Sequence, residues 1–92
     1  MKIKIIKDDG EQWKTIDWDN VEILKDDQDE MRKSHHQILK HGGNYYLRHF
    51  LNKQQGYDFF VEISEEEAKE LIAIDEVVGF IEESQNILKK YH

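Results

Sequence analysis

Two consecutive glycines, Gly42 and Gly43, constrain the fold of this chain more than any other feature of its sequence. A glycine pair supplies both of the positive φ angles that a type I′ turn requires between antiparallel strands. The pair therefore predicts a β-hairpin made of residues 34–41 and 44–51. The turn also sets which side chains share a face, because successive residues of a strand point to opposite sides of the sheet.

The register of this hairpin follows by counting outward from the turn, with His41 opposite Asn44. The next predicted pairs are Lys40 with Tyr45, Leu39 with Tyr46, Ile38 with Leu47, Gln37 with Arg48 and His36 with His49. One face then carries Ile38, Tyr45, Leu47, His49 and Leu51, and the other carries Gln37, Leu39, Tyr46, Arg48 and Phe50. A third strand over residues 57–63 would add Tyr57, Phe59, Val61 and Ile63 to the first face, which we expect to be core.

Ser64 and Glu67 have the spacing of a capping box at the start of a helix. The acidic residues of this first turn also suit the positive end of the helix dipole. Apolar residues then recur at helical spacing to residue 91, and Asp75 is a candidate for the break and the second cap between two helices.

The N-terminal third is predicted in less detail. Residues 2–7 alternate as a strand does, and Asp8-Asp9-Gly10 is turn chemistry that leads into a second extended stretch at 11–16. Asp17 or Asp19 could cap a short helical turn, whereas residues 21–23 alternate equally well as a strand. Residues 25–33 contain one apolar side chain, which predicts a solvated loop or a weak helix.

These elements predict an α+β fold, with a small antiparallel sheet of three to five strands and C-terminal helices packed on one face. A chain of 92 residues supports one modest core, so we expect a single domain over residues 1–92. The absence of cysteine excludes disulfides and thiolate metal sites and is typical of a reducing compartment. No signal peptide or membrane-length apolar run is present in the sequence, and we expect a cytoplasmic protein.

Charge divides the chain into three regions. Residues 1–33 carry ten acids and seven bases, and residues 34–57 carry three bases and no acid. Residues 58–92 carry ten acids and three lysines, a local charge of −7. An acidic surface repels nucleic acid and favours basic partners, including proteins whose usual ligand is DNA or RNA.

The acidic candidate site is the set of carboxylates on the predicted helices. Its members are Glu65, Glu66, Glu67, Glu70, Asp75, Glu76, Glu82 and Glu83. The alternative interpretation is that these residues simply solvate two helices, as runs of charge usually do.

A second candidate site lies on the acid-free hairpin, where aromatic and basic side chains could stack and neutralise a nucleic acid. Its residues are Lys40, Tyr46, Arg48, Phe50, Lys53 and Phe60. The alternative is that Trp13, Trp18 or the N-terminal hairpin covers this face as ordinary core.

Two histidines, His36 and His49, face each other in the predicted register and suggest a metal site or a pH-responsive switch. Two imidazoles lack the third and fourth ligands of a closed zinc site, and no acid or serine is tied to them by a catalytic spacing. We therefore expect no metal, no cofactor and no catalytic residue.

The order of strand, glycine turn, aromatic strand and helix start resembles that of small phage and mobile-element proteins. It runs from His36-Gln37-Ile38-Leu39-Lys40 through Gly43-Asn44-Tyr45-Tyr46-Leu47 to the stretch from Tyr57 to Ala68, and it covers about residues 36–72. The resemblance implies a non-enzymatic protein, similar in some cases to inhibitors of host defence nucleases such as anti-CRISPR proteins. It assigns no binding residue.

The leading hypothesis is a non-enzymatic protein-binding module whose acidic surface blocks the basic groove of a nucleic-acid-binding protein. The alternative is a small RNA- or DNA-binding regulator that acts through residues 34–57. Neither hypothesis involves a membrane.

Overall fold

The computed structural model of this protein describes residues 2–7, 10–29, 31, 33–51 and 58–90. Its elements are β1 (Lys2–Lys7), β2 (Gly10–Thr15), a 3-10 turn (Trp18–Asn20), β3 (Glu22–Asp29), β4 (Ser34–His41), β5 (Asn44–Leu51), β6 (Asp58–Ile63), α1 (Glu65–Ile72) and α2 (Val77–Lys89). The strands form one sheet in the order β2-β1-β6-β5-β4-β3. The predicted α+β class is confirmed.

The predicted hairpin is present with its predicted register. Gly42 and Gly43 have φ angles of 56° and 80°, as a type I′ turn requires. Every predicted pair, from His41 with Asn44 to His36 with His49, is formed between β4 and β5. The third strand begins at Asp58, and Tyr57 lies outside the described residues.

The main core lies between one face of the sheet and the two helices. Ile38, Leu47 and Val61 come from three neighbouring strands and have no exposed surface. The cluster also contains Ile63 of β6 and the helix residues Ala68, Leu71, Phe80 and Leu88. The helices therefore pack on the face that the alternation of β5 and β6 identified as core.

A smaller core lies on the opposite face. The segment between β2 and β3 crosses this face and packs Ile16, Trp18 and Val21 against the sheet. The sheet residues beneath it are Ile5, Leu39, Tyr46 and Phe60. Asp17 starts the 3-10 turn within this segment by accepting a hydrogen bond from the Asp19 amide at 3.1 Å.

The sheet is larger than predicted, with six strands, and it is mixed rather than antiparallel. β1 pairs in parallel with β6, with Ile5 opposite Phe60 and Ile6 opposite Val61. All the other neighbouring strands are antiparallel. The alternation of residues 2–7 indicates a strand but not its partner, so the sequence left this parallel pairing open.

The prediction of a loop or weak helix at residues 25–33 was wrong for residues 25–29, which belong to β3. This strand lies at the edge of the sheet and pairs only with β4. Its polar composition is typical of an edge strand, where charge discourages pairing with another chain. Lys25 also contributes to packing, because its Nζ lies 5.0 Å from the centre of the Phe80 ring. Residues 30 and 32 lie outside the described part of the chain.

The first helix begins as predicted and the second begins one residue later than predicted. The Ser64 hydroxyl accepts from the Glu67 amide and the Glu67 carboxylate accepts from the Ser64 amide, both at 3.0 Å. The break near Asp75 is present, but the N-cap of α2 is Glu76, which makes no side-chain capping bond. Asp75 lies in the connection between the helices, so its predicted capping role was wrong.

Candidate protein-binding surfaces

The eight predicted acids lie on the helical layer, on one side of the sheet, and we call them the acidic helix surface. Its members are Glu65, Glu66, Glu67, Glu70, Asp75, Glu76, Glu82 and Glu83. Seven of them are exposed, and Glu67 is half-buried because its carboxylate completes the capping box. Residues 65–90 contain these eight acids and three lysines, so their net charge is −5.

The acidic helix surface is mostly not neutralised within the described part of the chain. Glu65 pairs with Lys69 at 3.2 Å, and both side chains are well exposed. No other acid of this surface forms an ion pair with a described residue. Since exposed charges act over a Debye length of about 8 Å at physiological salt, this surface carries a negative electrostatic potential.

An open groove runs along the outer side of α2, with a volume of about 720 Å³. Its lining residues are Met31, Val78, Ile81, Glu82, Gln85, Asn86 and Lys89. Two of its apolar residues are largely open to solvent: Met31 is 95% exposed and Val78 is 68% exposed. The groove is not predictable from the spacing of apolar residues in α2, because Met31, far away in sequence, forms part of its lining.

The hairpin candidate surface is largely interior. Tyr46 and Phe60 are only 2% and 1% exposed, because Trp18 and its neighbours cover them. The Trp18 and Phe60 ring centres are 6.1 Å apart. Of the two alternatives, ordinary core is therefore the correct one for Tyr46 and Phe60, and neither can stack on a base in this structure.

The basic residues of the hairpin do not form one patch either. Lys40 lies on the same face as the helices, where its Nζ is 5.5 Å from the Tyr45 ring centre. Arg48 and Phe50 lie on the opposite face, and Lys53 lies outside the described residues. The prediction placed Lys40 beside Arg48, but the alternation of the strands separates them.

Arg48 is held by its neighbours on the hairpin face. Its Nε and Nη2 donate to the two carboxylate oxygens of Asp58, both at 2.7 Å, and its Nη1 donates to Gln37 at 3.1 Å. The guanidinium lies 4.8 Å from the Trp18 ring centre and 4.3 Å from that of Phe50. This two-pronged, stacked geometry is one that only arginine provides, and it engages three of the five N–H donors of the guanidinium.

The polar contacts of Arg48 extend to the edge of the sheet. Gln37 donates to Asp26 at 3.1 Å, and Asp26 also contacts Nδ1 of His35 at 3.2 Å. The His35 ring stacks on Phe50 with 4.7 Å between centres. The network thus links β3, β4, β5 and β6 across the face that the helices leave uncovered.

Lys14 and Tyr46 make a further polar contact on the hairpin face. Lys14 Nζ donates to Glu62 at 3.1 Å and to the Tyr46 hydroxyl at 3.4 Å. Burial favours the neutral amine, but the hydrogen bonds to Glu62 and Tyr46 outweigh it and raise the pKa of Lys14 above its ordinary value of 10.5. The hydroxyl of Tyr46 is therefore engaged within the protein as well as covered.

The predicted histidine pair lies beneath α2. The rings of His36 and His49 stack with 4.5 Å between centres, and His36 is fully buried. The Gln85 side-chain nitrogen lies 2.8 Å from His36 Nε2, within hydrogen-bonding distance. In the described part of the chain no three histidine or carboxylate side chains converge as metal ligands would.

Comparison of this chain with protein-family models, curated proteins and solved structures finds no match. Neither α1 nor α2, the two helices of the described residues, is long and apolar enough to cross a membrane.

Proposed function

We propose that this protein is a non-enzymatic protein-binding module that uses the acidic helix surface to engage a basic partner. The observation that carries the proposal is the segregation of charge. The acids of residues 65–83 are almost all exposed on one side of the sheet, whereas Arg48, on the other side, already donates to Asp58. The helical side of the protein therefore presents mainly negative charge to a partner.

The partner that suits such a surface is a protein with a cationic groove that normally holds nucleic acid. Spaced carboxylates can replace phosphates as counter-charges to lysine and arginine, and binding of this kind is steered at long range. Occupation of the partner's cationic groove would exclude the nucleic acid from it, so this protein would act as an inhibitor of the partner. The resemblance of residues 36–72 to small phage and mobile-element proteins is compatible with this proposal.

The experiment is capture of partners by the immobilised full chain from a lysate of its native host, with and without nuclease treatment. A protein retained in both samples, and released by added DNA or RNA, is the expected result. A variant with Glu66, Glu70, Glu82 and Glu83 all changed to Gln should lose it. Retention of nucleic acid that disappears after nuclease treatment would instead favour the regulator that acts through residues 34–57.

A matched control separates surface position from net charge. Glu66→Gln with Glu70→Gln removes two negative charges from α1, and Asp17→Asn with Asp19→Asn removes two from the segment that covers the opposite face of the sheet. All four residues are exposed. The first pair should weaken capture and the second should not. Equal loss in both pairs would show that total charge, rather than the acidic helix surface, determines binding.

A further inference from the structure

The groove along α2 combines apolar surface with the charge that the proposed function invokes. Its α2 lining includes Val78, Glu82, Gln85 and Lys89, which follow one another at intervals of three or four residues along the helix. From Val78 to Lys89 the groove spans eleven residues, or about 16 Å at 1.5 Å per residue. Met31, in the turn after β3, faces it from the sheet side. The groove is thus as long as three turns of a helix.

The floor of the groove is fixed from below. Gln85 lines the groove, and its side-chain nitrogen lies 2.8 Å from Nε2 of the buried His36. His36 is itself stacked on His49 in the interior. The rim is adaptable, because Met31 is unbranched and nearly fully exposed. A fixed floor and an adaptable rim suit a site that receives a side chain from a partner.

We infer that this groove binds an amphipathic, net basic α-helix of a partner protein. The inference rests on the proposed function and names the partner element involved. Apolar side chains of the incoming helix would lie against Met31, Val78 and Ile81. Its lysines or arginines would lie beside Glu82, and neutral residues would lie beside Lys89.

Charge complementarity selects this occupant. Glu82 stands within the groove, and the helical layer around it carries a net charge of −5, so an acidic segment or an anionic headgroup is repelled. Lys89 lies two turns, or about 10 Å, further along the helix. The cationic side chains of the occupant therefore belong at the end near Glu82.

Backbone hydrogen bonding selects a helix over an extended segment. Apart from Met31, the described residues that line the groove belong to α2, whose backbone groups are bonded within the helix, and none of them belongs to a strand. An extended peptide would leave its N–H and C=O groups without backbone partners, whereas a helix satisfies them internally.

The test is titration of the full chain, labelled with nitrogen-15, with a synthetic amphipathic peptide roughly 15 residues long, the length at which isolated helices begin to form. Its leucines recur at helical spacing, its lysines lie in the C-terminal half and neutral glutamines lie in the N-terminal half. The control peptide has the same composition, with the leucines distributed around the helix. Amide shifts should change at Met31 and along Val78–Lys89 with the first peptide and not with the second.

Two matched pairs of variants locate the contact. Val78→Ser should weaken peptide binding at least about threefold, and Val77→Ser should not, since Val77 does not line the groove. Glu82→Gln should weaken it more than Glu83→Gln, because only Glu82 lines the groove. Equal effects within either pair would overturn the inference.

The other outcomes are distinct. Shifts centred on Trp13, an exposed apolar residue of β2, or the absence of any shift would overturn the groove inference and leave the capture experiment to judge the proposed function. Shifts of groove residues on dilution, without peptide, would assign the groove to a second copy of this chain. Peptide binding in the groove without capture of any protein would support the groove and contradict the proposed function.

Discussion

Arg48 and Asp58 form a two-pronged ion pair across β5 and β6, with both N–O distances at 2.7 Å. Trp18 and Phe50 lie near the guanidinium, so charge pairing and aromatic packing fix the same side chain. The sequence analysis considered Arg48 as a nucleic-acid contact. The structure places it where it links the segment after β2 to the middle of the sheet.

Arg48→Lys should lower the free energy of unfolding by about 1–2 kcal/mol, since lysine cannot donate to both carboxylate oxygens or stack as a planar group. Urea denaturation followed by tryptophan fluorescence measures the change. Lys69→Met, which removes an exposed ion pair within α1, is the comparison and should cost less than about 0.5 kcal/mol. An equal cost for the two variants would show that Arg48 contributes no more than a surface charge.

Single-stranded nucleic acid should not bind the described hairpin face. Tyr46 and Phe60 are covered, and three of the five N–H donors of Arg48 bond to Asp58 and Gln37. Fluorescence anisotropy of a labelled oligonucleotide in low salt should therefore show no saturable binding, and Arg48→Glu should leave the signal unchanged. Tight binding that weakens with added salt and is lost on Arg48→Glu would instead support the regulator hypothesis. An affinity that falls with salt is the signature of phosphate contacts.

The central hairpin was predictable because a glycine pair determines both a turn and a register, and alternation then assigns the faces. Sequence reasoning failed where the structure depends on distant partners. Nothing local to residues 2–7 indicates the parallel pairing of β1 with β6. The polar stretch at 25–29 forms a strand because β4 supplies its hydrogen bonds, not because its side chains favour one.

The exposure of the candidate surfaces was likewise predictable where it depends on local sequence, and not where it depends on distant segments. Three of the four acids of α1 are exposed, as expected of a helix with one apolar stripe. The covering of Tyr46 by Trp18 depends on the path of the segment between β2 and β3, which no periodicity describes. The groove along α2 also depends on the position of Met31, far from α2 in sequence.

Ser64→Ala should lower the free energy of unfolding by about 0.5–2 kcal/mol, because the Glu67 amide loses its acceptor at the start of α1. Thermal unfolding followed by circular dichroism measures this change. Glu67→Gln is the matched control: glutamine can still accept from the Ser64 amide, so its effect should be small. A larger loss for Glu67→Gln than for Ser64→Ala would contradict the capping-box account.

Lys14 should give stability a dependence on alkaline pH. Its folded-state pKa lies above the unfolded value of 10.5, because the hydrogen bonds to Glu62 and Tyr46 outweigh the opposing effect of burial. Its contribution is therefore fully present below that value and is lost as pH rises through the folded-state pKa. The difference in unfolding free energy between the wild type and Lys14→Met should be constant near neutral pH and shrink above about pH 10.5. A difference that grows with pH would have the wrong sign.

The most direct test of the central claim is the affinity of the captured partner for the wild type and for the variant with Glu66, Glu70, Glu82 and Glu83 changed to Gln. With each of the four exposed charges contributing roughly 0.2–1 kcal/mol, we predict a loss of about fourfold or more at low salt. The loss should shrink as salt is added. Equal affinity of the two proteins at low salt would contradict the claim that the acidic helix surface is the binding surface.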